Sequence, residues 1–376
     1  MKKIKILHIQ ETIGSGGVER RRLSLAKHLD KNTFEQKFIC TYAFGNIPDE
    51  IRAEGWEVIP IGRLKSPFDW KQHQKIQRII QEYQPDIIHG AVFEGVMMAA
   101  INGWLKKVPI IIIEETSDPQ NRSWKGNLLM KLFSRLADKV IGVSPSVTEE
   151  YLIEKLKISP RKVKLINNGV AIPRKVSSDE VEMIRDKWGI EEDNFVIGSV
   201  GRMKSDEIKR YSDLIKAFAI FSSNKKKCKL ILVGGNDKYL YKYTVLVKEL
   251  QISDKVIFTG YQSDVSLYYN VMDVFSLVSA HEAFGLVLAE AMLKKLPVIA
   301  TKVGGMKYIV DNDETGILVE GKNIDQIAKA FEKLYNDENL RIQMGVKGYQ
   351  KAISEYTEEV YVEKINQLYK SLIFNR

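Results

Sequence analysis

Short apolar runs alternate with helix-length amphipathic stretches from one end of the chain to the other. Ile4–Ile9, Lys37–Thr41, Val58–Ile61, Asp86–His89, Ile110–Ile113 and Val140–Val143 read as strands. Between them, Val18–Leu29, Trp70–Glu82, Gly95–Leu105 and Pro145–Leu156 carry helical patterns. Alternation of this kind builds right-handed βαβ units and a parallel sheet.

The pattern breaks once. Asn167-Asn168-Gly169 is a turn signal, and Ile172-Pro173 leads into the polar run Lys175–Glu180. Alternation then restarts, with strands over Phe195–Val200, Lys229–Val233, Val256–Phe258, Val274–Leu277 and Val298–Ala300. Helical patterns intervene at Tyr211–Phe221, Tyr239–Leu250 and Leu286–Lys294, and Ile324 to Phe374 reads as wholly helical. The fold class is α/β, with two doubly wound parallel-sheet domains over 1–172 and 173–354 and a final helical segment over 355–376. Two such sheets are expected to leave a cleft lined by the C-terminal ends of their strands, where open α/β sheets bind ligands.

Composition narrows the chemistry. The chain has 376 residues, 44% hydrophobic and 28% charged, which is ordinary for packed domains and excludes wholesale disorder. Cys40 and Cys228 are the only cysteines, which excludes a disulfide scaffold and a cysteine-based zinc cluster. With five histidines, a His-rich metal site is not expected either, so no metal or cofactor is assigned. No apolar stretch approaches the ~18 residues of a spanning helix, and the first residues lack the apolar core of a signal peptide. A cytoplasmic protein is expected. The net charge of +9 favours anionic partners such as nucleotides, phosphates or acidic lipid surfaces. No helix-turn-helix, zinc finger or aromatic stacking signature accompanies it, so nucleic acid is not an expected partner.

Candidate chemistry sits just after the strands. Glu11-Thr12-Ile13-Gly14-Ser15-Gly16-Gly17 precedes a helix and is either a plain turn or a loop whose backbone approaches an anion. Glu19 stands where a dinucleotide fingerprint wants its third glycine. After Phe195–Val200 come Gly201 and Arg202, and seven residues later Lys209. A guanidinium fork and a mobile ammonium together can neutralise a diphosphate; the alternative is solvated charge, since Lys204, Lys209 and Arg210 share one polar loop. The densest constellation runs from His281 and Glu282 to Glu290 and Met292. Gly285 marks a turn into a helix whose free amides at Gly285, Leu286 and Val287 can hold phosphate. Glu290, among Leu288, Ala289, Ala291 and Met292, is either a buried-facing acid needing a partner or part of the helix's polar side. Further glycine turns follow strands at Val233-Gly234-Gly235-Asn236 and Val303-Gly304-Gly305.

In order and spacing these pieces resemble family 4 of the retaining glycosyltransferases, which share the two-domain GT-B fold. The resemblance is carried by Gly16-Gly17-Val18-Glu19-Arg20, Val143-Ser144, Asn168-Gly169-Val170, Gly201-Arg202 with Lys209, Leu232-Val233-Gly234 and Phe258-Thr259-Gly260. It continues through Glu282-Ala283-Phe284-Gly285-Leu286 with Glu290-Ala291, then Pro297-Val298 and Gly304-Gly305. It implies a nucleoside-diphosphate sugar bound mainly by the second domain, without a divalent metal. Arg202 and Lys209 take the places of diphosphate ligands, Glu282 of the acid on the donor sugar, and Glu290 of the ribose binder. Gly234 and the block Ala283, Phe284, Gly285 and Leu286 would line the donor. Gly16 and Gly17 resemble a loop that closes on the phosphates, and the last helix resembles a tail that crosses back onto the first domain.

Two positions depart from the family. After Ile110–Ile113, Glu114-Glu115-Thr116-Ser117-Asp118-Pro119 resembles a subgroup whose motif is Glu-Arg-Asn-Asp-Pro, with Glu115 where Arg is expected and within reach of substrate. Tyr308 stands where a Glu is common after Gly304-Gly305. The resemblance implies transfer of a hexose or N-acetylhexosamine, from a UDP-sugar by preference, to a saccharide. Asn121–Lys139 joins Arg122, Lys125, Lys131, Arg135 and Lys139 to Trp124, Leu128, Leu129, Leu132 and Phe133. It is either a core-facing helix with a basic side or a helix that lies on an anionic membrane. In the second case the acceptor is lipid-linked, as in bacterial surface polysaccharide assembly, and the protein is peripheral to the membrane's inner face. A nucleotide-sugar 2-epimerase-like enzyme and a non-catalytic sugar-nucleotide-binding protein are the alternatives on the same fold.

Overall fold

The isoleucine run Ile110–Ile113 is buried and pairs in parallel with neighbours on both sides. Neither face of such a strand meets water, so its sequence shows no alternation. The computed structural model describes residues 2–374 apart from 15, 68, 119, 121, 204, 205 and 236. Ser15, Pro119, Asn121, Lys204 and Asn236, named above, lie outside the described residues. The chain forms two units, Met1–Gly169 with Thr357–Arg376, and Val170–Tyr356.

The first unit runs β1 (Ile4–Ile13), α1 (Gly17–His28), β2 (Phe34–Ala43), α2 (Ile47–Ala53), β3 (Glu57–Pro60), α3 (Trp70–Tyr83), β4 (Ile87–Ala91) and α4 (Val92–Leu105). It continues with β5 (Ile110–Glu115), α5 (Trp124–Leu136), β6 (Lys139–Gly142), a π-helix over Ser146–Lys155 and β7 (Val163–Leu165). Its sheet has the order β3-β2-β1-β4-β5-β6-β7, all parallel, and the winding reverses between β1 and β4.

The second unit contains α6 (Ser178–Trp188), β8 (Phe195–Val200), α7 (Asp206–Lys209), α8 (Tyr211–Ser222), β9 (Cys228–Val233), α9 (Asp237–Glu249), β10 (Val256–Phe258), α10 (Ser266–Tyr269) and β11 (Val274–Leu277). It ends with α11 (Leu286–Leu293), β12 (Val298–Thr301), α12 (Met306–Ile309), β13 (Gly316–Val319), α13 (Ile324–Asn336) and α14 (Glu338–Glu355). The sheet order is β10-β9-β8-β11-β12-β13, and the winding reverses between β8 and β11. Neighbouring strand residues feed opposite cores: Val196 and Phe275 pack with Leu288 and Met292, while Ile197 and Val274 pack with Phe218 and Phe331. The last helix, α15 (Glu358–Phe374), belongs to the first unit, where Tyr361, Ile365 and Tyr369 pack among Ile6, Phe34, Ile87 and Ile112. Gly169 lies so close to Thr357, Glu358 and Tyr361 that a Cβ there would collide with α15.

Several expectations shift. β1 extends to Ile13, pairing Thr12 with Tyr42 and Ile13 with Ala43, so Glu11–Ile13 is strand and not loop. The edge strands β7 and β13 were not expected; β7 is three residues long and largely solvated, so it carries no apolar run. The polar run Lys175–Glu180 is not all linker. Ser177 and Glu180 form a reciprocal capping box that starts α6. The stretch around 145–156 is helical with a widened turn, the Leu156 amide donating to the Tyr151 carbonyl. Among the described residues no helix is long and apolar enough to cross a membrane.

Candidate functional site

In the second unit, the loops after β8, β9, β11 and β12 crowd together at the C-terminal ends of four neighbouring strands. Glycine makes this possible. Gly234, at φ 107°, lies against the Gly201 carbonyl, and Gly304 against the Glu282 carbonyl, where a Cβ would collide with backbone. The Gly305 amide donates to the Glu282 carbonyl (2.9 Å), and the Ala280 amide donates to the Ile208 carbonyl (2.7 Å). The second bond ties the β11 loop to α7 and brings Lys209 to Glu282.

The two side chains meet. Lys209 Nζ donates to Glu282 Oε2 at 2.8 Å, with the side chains 23% and 22% exposed. Lys209 also passes over Gly201, the residue before Arg202. Arg202 is exposed and has no ion pair or hydrogen bond among the described residues. This cluster sits where the strand order reverses, between β8 and β11, which is where open α/β sheets bind ligands.

Gly285, at φ 109°, is the N-cap of α11, and the helix opens with Leu286 and Val287, whose amides have no intrahelical acceptor. Not every residue of the block faces a ligand. Phe284 is buried and stacks edge-to-face on Tyr356 at 5.5 Å, so its side chain belongs to the core. Ala283 and Leu286 are half-buried. Glu290 is half-buried as well, and its Oε2 accepts a hydrogen bond from the Tyr269 hydroxyl at 2.8 Å. Tyr269 was not expected at the site. Nothing in its local pattern distinguishes it from a core aromatic.

In the first unit Gly16 is the extended N-cap of α1 and Gly17 its first residue. The Glu19 carboxylate folds back against Gly16 and accepts from the Thr12 hydroxyl at 3.2 Å. Partial burial, then the nearby Glu94 and Glu19 carboxylates, raise the Glu11 carboxyl above its ordinary value. Glu115, expected within reach of substrate, is covered in this structure. It is buried, pairs with Arg122 and accepts from the Ser117 hydroxyl at 2.7 Å. A carboxylate taken out of water needs such partners, and Arg122 supplies a guanidinium close to where the family pattern expects one.

The sequence also left unread a charged cluster in the core of this unit. Glu114 accepts from Arg21 at 2.8 Å and from Arg22 at 3.0 Å, and all three side chains are almost wholly buried. Arg21 also donates to the Asn168 side chain. His89 Nδ1 lies 2.7 Å from the Tyr369 hydroxyl of α15. Burial opposes ionisation of Glu114, but Arg21 and Arg22 outweigh it and hold the carboxyl well below the carboxylate range. Burial, then Arg22, pushes His89 down to about 4, and burial also pushes His8 well below the ordinary imidazole value.

On α5, Met130, Phe133 and Ser134 face the core. Trp124, Leu128 and Leu132, one turn apart on another face, are 71%, 60% and 47% exposed. Lys125 and Arg135 are exposed, Lys131 is half-exposed, and none of the three has an ion-pair partner among the described residues.

Two doubly wound parallel-sheet units, the second with glycine-built loops at its switch point, are the architecture of the GT-B fold. HepE of Anabaena, solved in complex with UDP, has this fold and matches with a TM-score of 0.86 over 98% of this chain and 100% of its own, at 21% identity. The profile "Glycosyltransferase Family 4" matches residues 15–174, and "Glycosyl transferases group 1" matches residues 180–351. The chain belongs to family 4 of the group 1 glycosyltransferases. The capsular polysaccharide biosynthesis glycosyltransferase CapM of Staphylococcus aureus is 27% identical over 84% of this chain and 85% of its own length. The UDP-Gal:α-D-GlcNAc-diphosphoundecaprenol α-1,3-galactosyltransferase of Escherichia coli is 23% identical over 100% and 98%.

Proposed function

We propose that the protein moves a hexose or N-acetylhexosamine from a UDP-sugar to a lipid-linked saccharide, with retention at the anomeric carbon, in the assembly of a bacterial surface polysaccharide. The observation that carries the donor half is the Lys209–Glu282 pair at the β8/β11 switch point. Both ends are partly exposed, so a ligand can exchange for either partner. The donor diphosphate takes Lys209 and Arg202, and the released Glu282 carboxylate accepts from hydroxyls of the transferred sugar. Glu290 accepts from the ribose.

The reaction breaks the bond between the anomeric carbon and the β-phosphate oxygen and joins that carbon to the acceptor oxygen on the same face. The acceptor proton passes to the departing phosphate, which leaves as nucleoside diphosphate. Negative charge grows on the leaving oxygens, and in this reading Arg202, Lys209 and the Leu286 and Val287 amides stabilise it as it develops. We assign this charge to side chains and helix amides, and transfer is expected to persist in excess EDTA.

Support for the acceptor half comes from α5 and from the relatives' names, one a capsular polysaccharide enzyme and one acting on a diphosphoundecaprenol-linked sugar. The exposed Trp124, Leu128 and Leu132 stripe, with a basic flank that has no ion-pair partner among the described residues, fits an anionic bilayer. The protein then works as a peripheral enzyme on the cytoplasmic leaflet. A thermal-shift panel of uridine, guanosine and adenosine diphosphate sugars tests the donor. Preferential stabilisation by UDP-sugars is expected. Stabilisation by none of them, or turnover of the donor into an altered sugar nucleotide without acceptor, sinks the reading.

A further inference from the structure

Tyr269 closes the short helix α10 and is 1% exposed, its ring tilted against Phe275 at 5.8 Å. The ring's place is explained by the core. Its hydroxyl is not: a phenylalanine would fill the same space. That hydroxyl donates to Glu290 Oε2 at 2.8 Å, across 21 residues of sequence.

The last torsion of a glutamate is broad, so the direction of the Glu290 carboxylate depends on what bonds to it. A charge-assisted bond from a buried phenol is the kind of contact that fixes a carboxylate plane. A carboxylate has about four lone-pair sites, and the Tyr269 hydroxyl occupies one of them.

We propose that Tyr269 is a positioning residue for donor recognition. Its hydroxyl holds the Glu290 carboxylate in the orientation that accepts hydrogen bonds from the ribose hydroxyls of the nucleotide. This rests on the reading above that Glu290 binds ribose.

The experiment is a calorimetric titration of wild type, Tyr269→Phe, Glu290→Gln and the double variant with UDP and with 2′,3′-dideoxy-UDP. If GDP or ADP binds wild type more tightly than UDP, the pair built on that base replaces it. Wild type is expected to prefer the ribonucleotide by about tenfold or more, the usual worth of hydrogen bonds to a charged group. Tyr269→Phe is expected to cut that preference by about threefold or more while leaving affinity for the dideoxy nucleotide unchanged, because only an oriented carboxylate makes the lost bonds. Glu290→Gln is expected to abolish most of the preference, and adding Tyr269→Phe to it to change nothing further, as for two residues acting through one contact.

Full preference in Tyr269→Phe beside a lost preference in Glu290→Gln overturns the positioning role alone. So does equal weakening of both nucleotides, which marks a purely structural residue. No ribose preference in wild type, or no binding of any of the three nucleotides, overturns the underlying reading of Glu290.

Discussion

In the first unit Arg21, Arg22 and Glu114 are sealed in the core, joined to one another and flanked by His89 and Tyr369. In the second, Lys209 and Glu282 form a single bond at a glycine-lined strand edge with about a fifth of each side chain open to water. Both are cation–carboxylate contacts of ordinary length. They differ in whether a ligand can take the place of a partner. The buried cluster has no route for exchange, so its charge serves the fold and ties α1, β5 and α15 together. The exposed pair can trade partners, so its charge is available for chemistry. Charge near strand ends in a doubly wound sheet is therefore not by itself a sign of a substrate site; accessibility decides.

Removing one partner from each contact should separate these roles. Glu114→Ala leaves two guanidiniums buried without a counter-charge and should cost about 3–5 kcal/mol of stability. Thermal unfolding should show it as a large fall in the transition of the first unit, and an unchanged melting profile would mean that the cluster is not sealed. Lys209→Ala should lower kcat by roughly a hundred- to a thousandfold, as for loss of one transition-state charge donor, about 2.7–4 kcal/mol. Its melting temperature should barely move, because a partly exposed pair contributes only about 0–1 kcal/mol. Near-normal turnover in Lys209→Ala and Arg202→Ala would erase the distinction.

The basic flank of α5 offers a smaller, additive effect. Lys125→Ser, Lys131→Ser and Arg135→Ser should each weaken sedimentation with phosphatidylglycerol vesicles by about 1 kcal/mol at low salt, with no loss of UDP affinity. Binding that ignores both salt and these changes would remove the membrane role.

The buried side of the comparison is also open to pH. His89 titrates at about 4 in the folded protein, below the unfolded value near 6.5. The unfolded chain therefore binds a proton that the folded chain refuses, and stability falls as pH drops through this window. His89 alone should cost about 1.4 kcal/mol per pH unit below 6.5, levelling off near 4, and the buried His8, also held low, adds to the loss. Glu114, held low by its arginines, adds a further loss as pH falls below the unfolded carboxylate value. Melting curves at pH 7.5, 6 and 5 should show it, and a flat response would mean that the imidazole is not buried neutral.

Much of this was legible in the chain. Glu282, Gly285 and Glu290 lie on one local segment after an apolar strand, and Gly201, Arg202 and Lys209 on another, so position alone suggested their neighbourhood. Glu115 misled because the strand's burial continues past Ile113: a residue that looked like a loop acid is the covered end of β5, paired with Arg122. Phe284 sits in the loop after β11, yet turns its side chain into the core against Tyr356. Tyr269 and the Arg21, Arg22 and Glu114 cluster gave no signal, because their partners lie 21 and more than 90 residues away.

The sequence by itself determined the alternation of strands and helices, the two doubly wound sheets and the glycine turns. Apolar periodicity and backbone freedom are local properties, written residue by residue. Only the tertiary structure decided which charges are sealed and which stay open, and which side of α5 meets water. Those outcomes depend on which distant segment covers a given side chain, and burial by a remote neighbour leaves no trace in the local pattern.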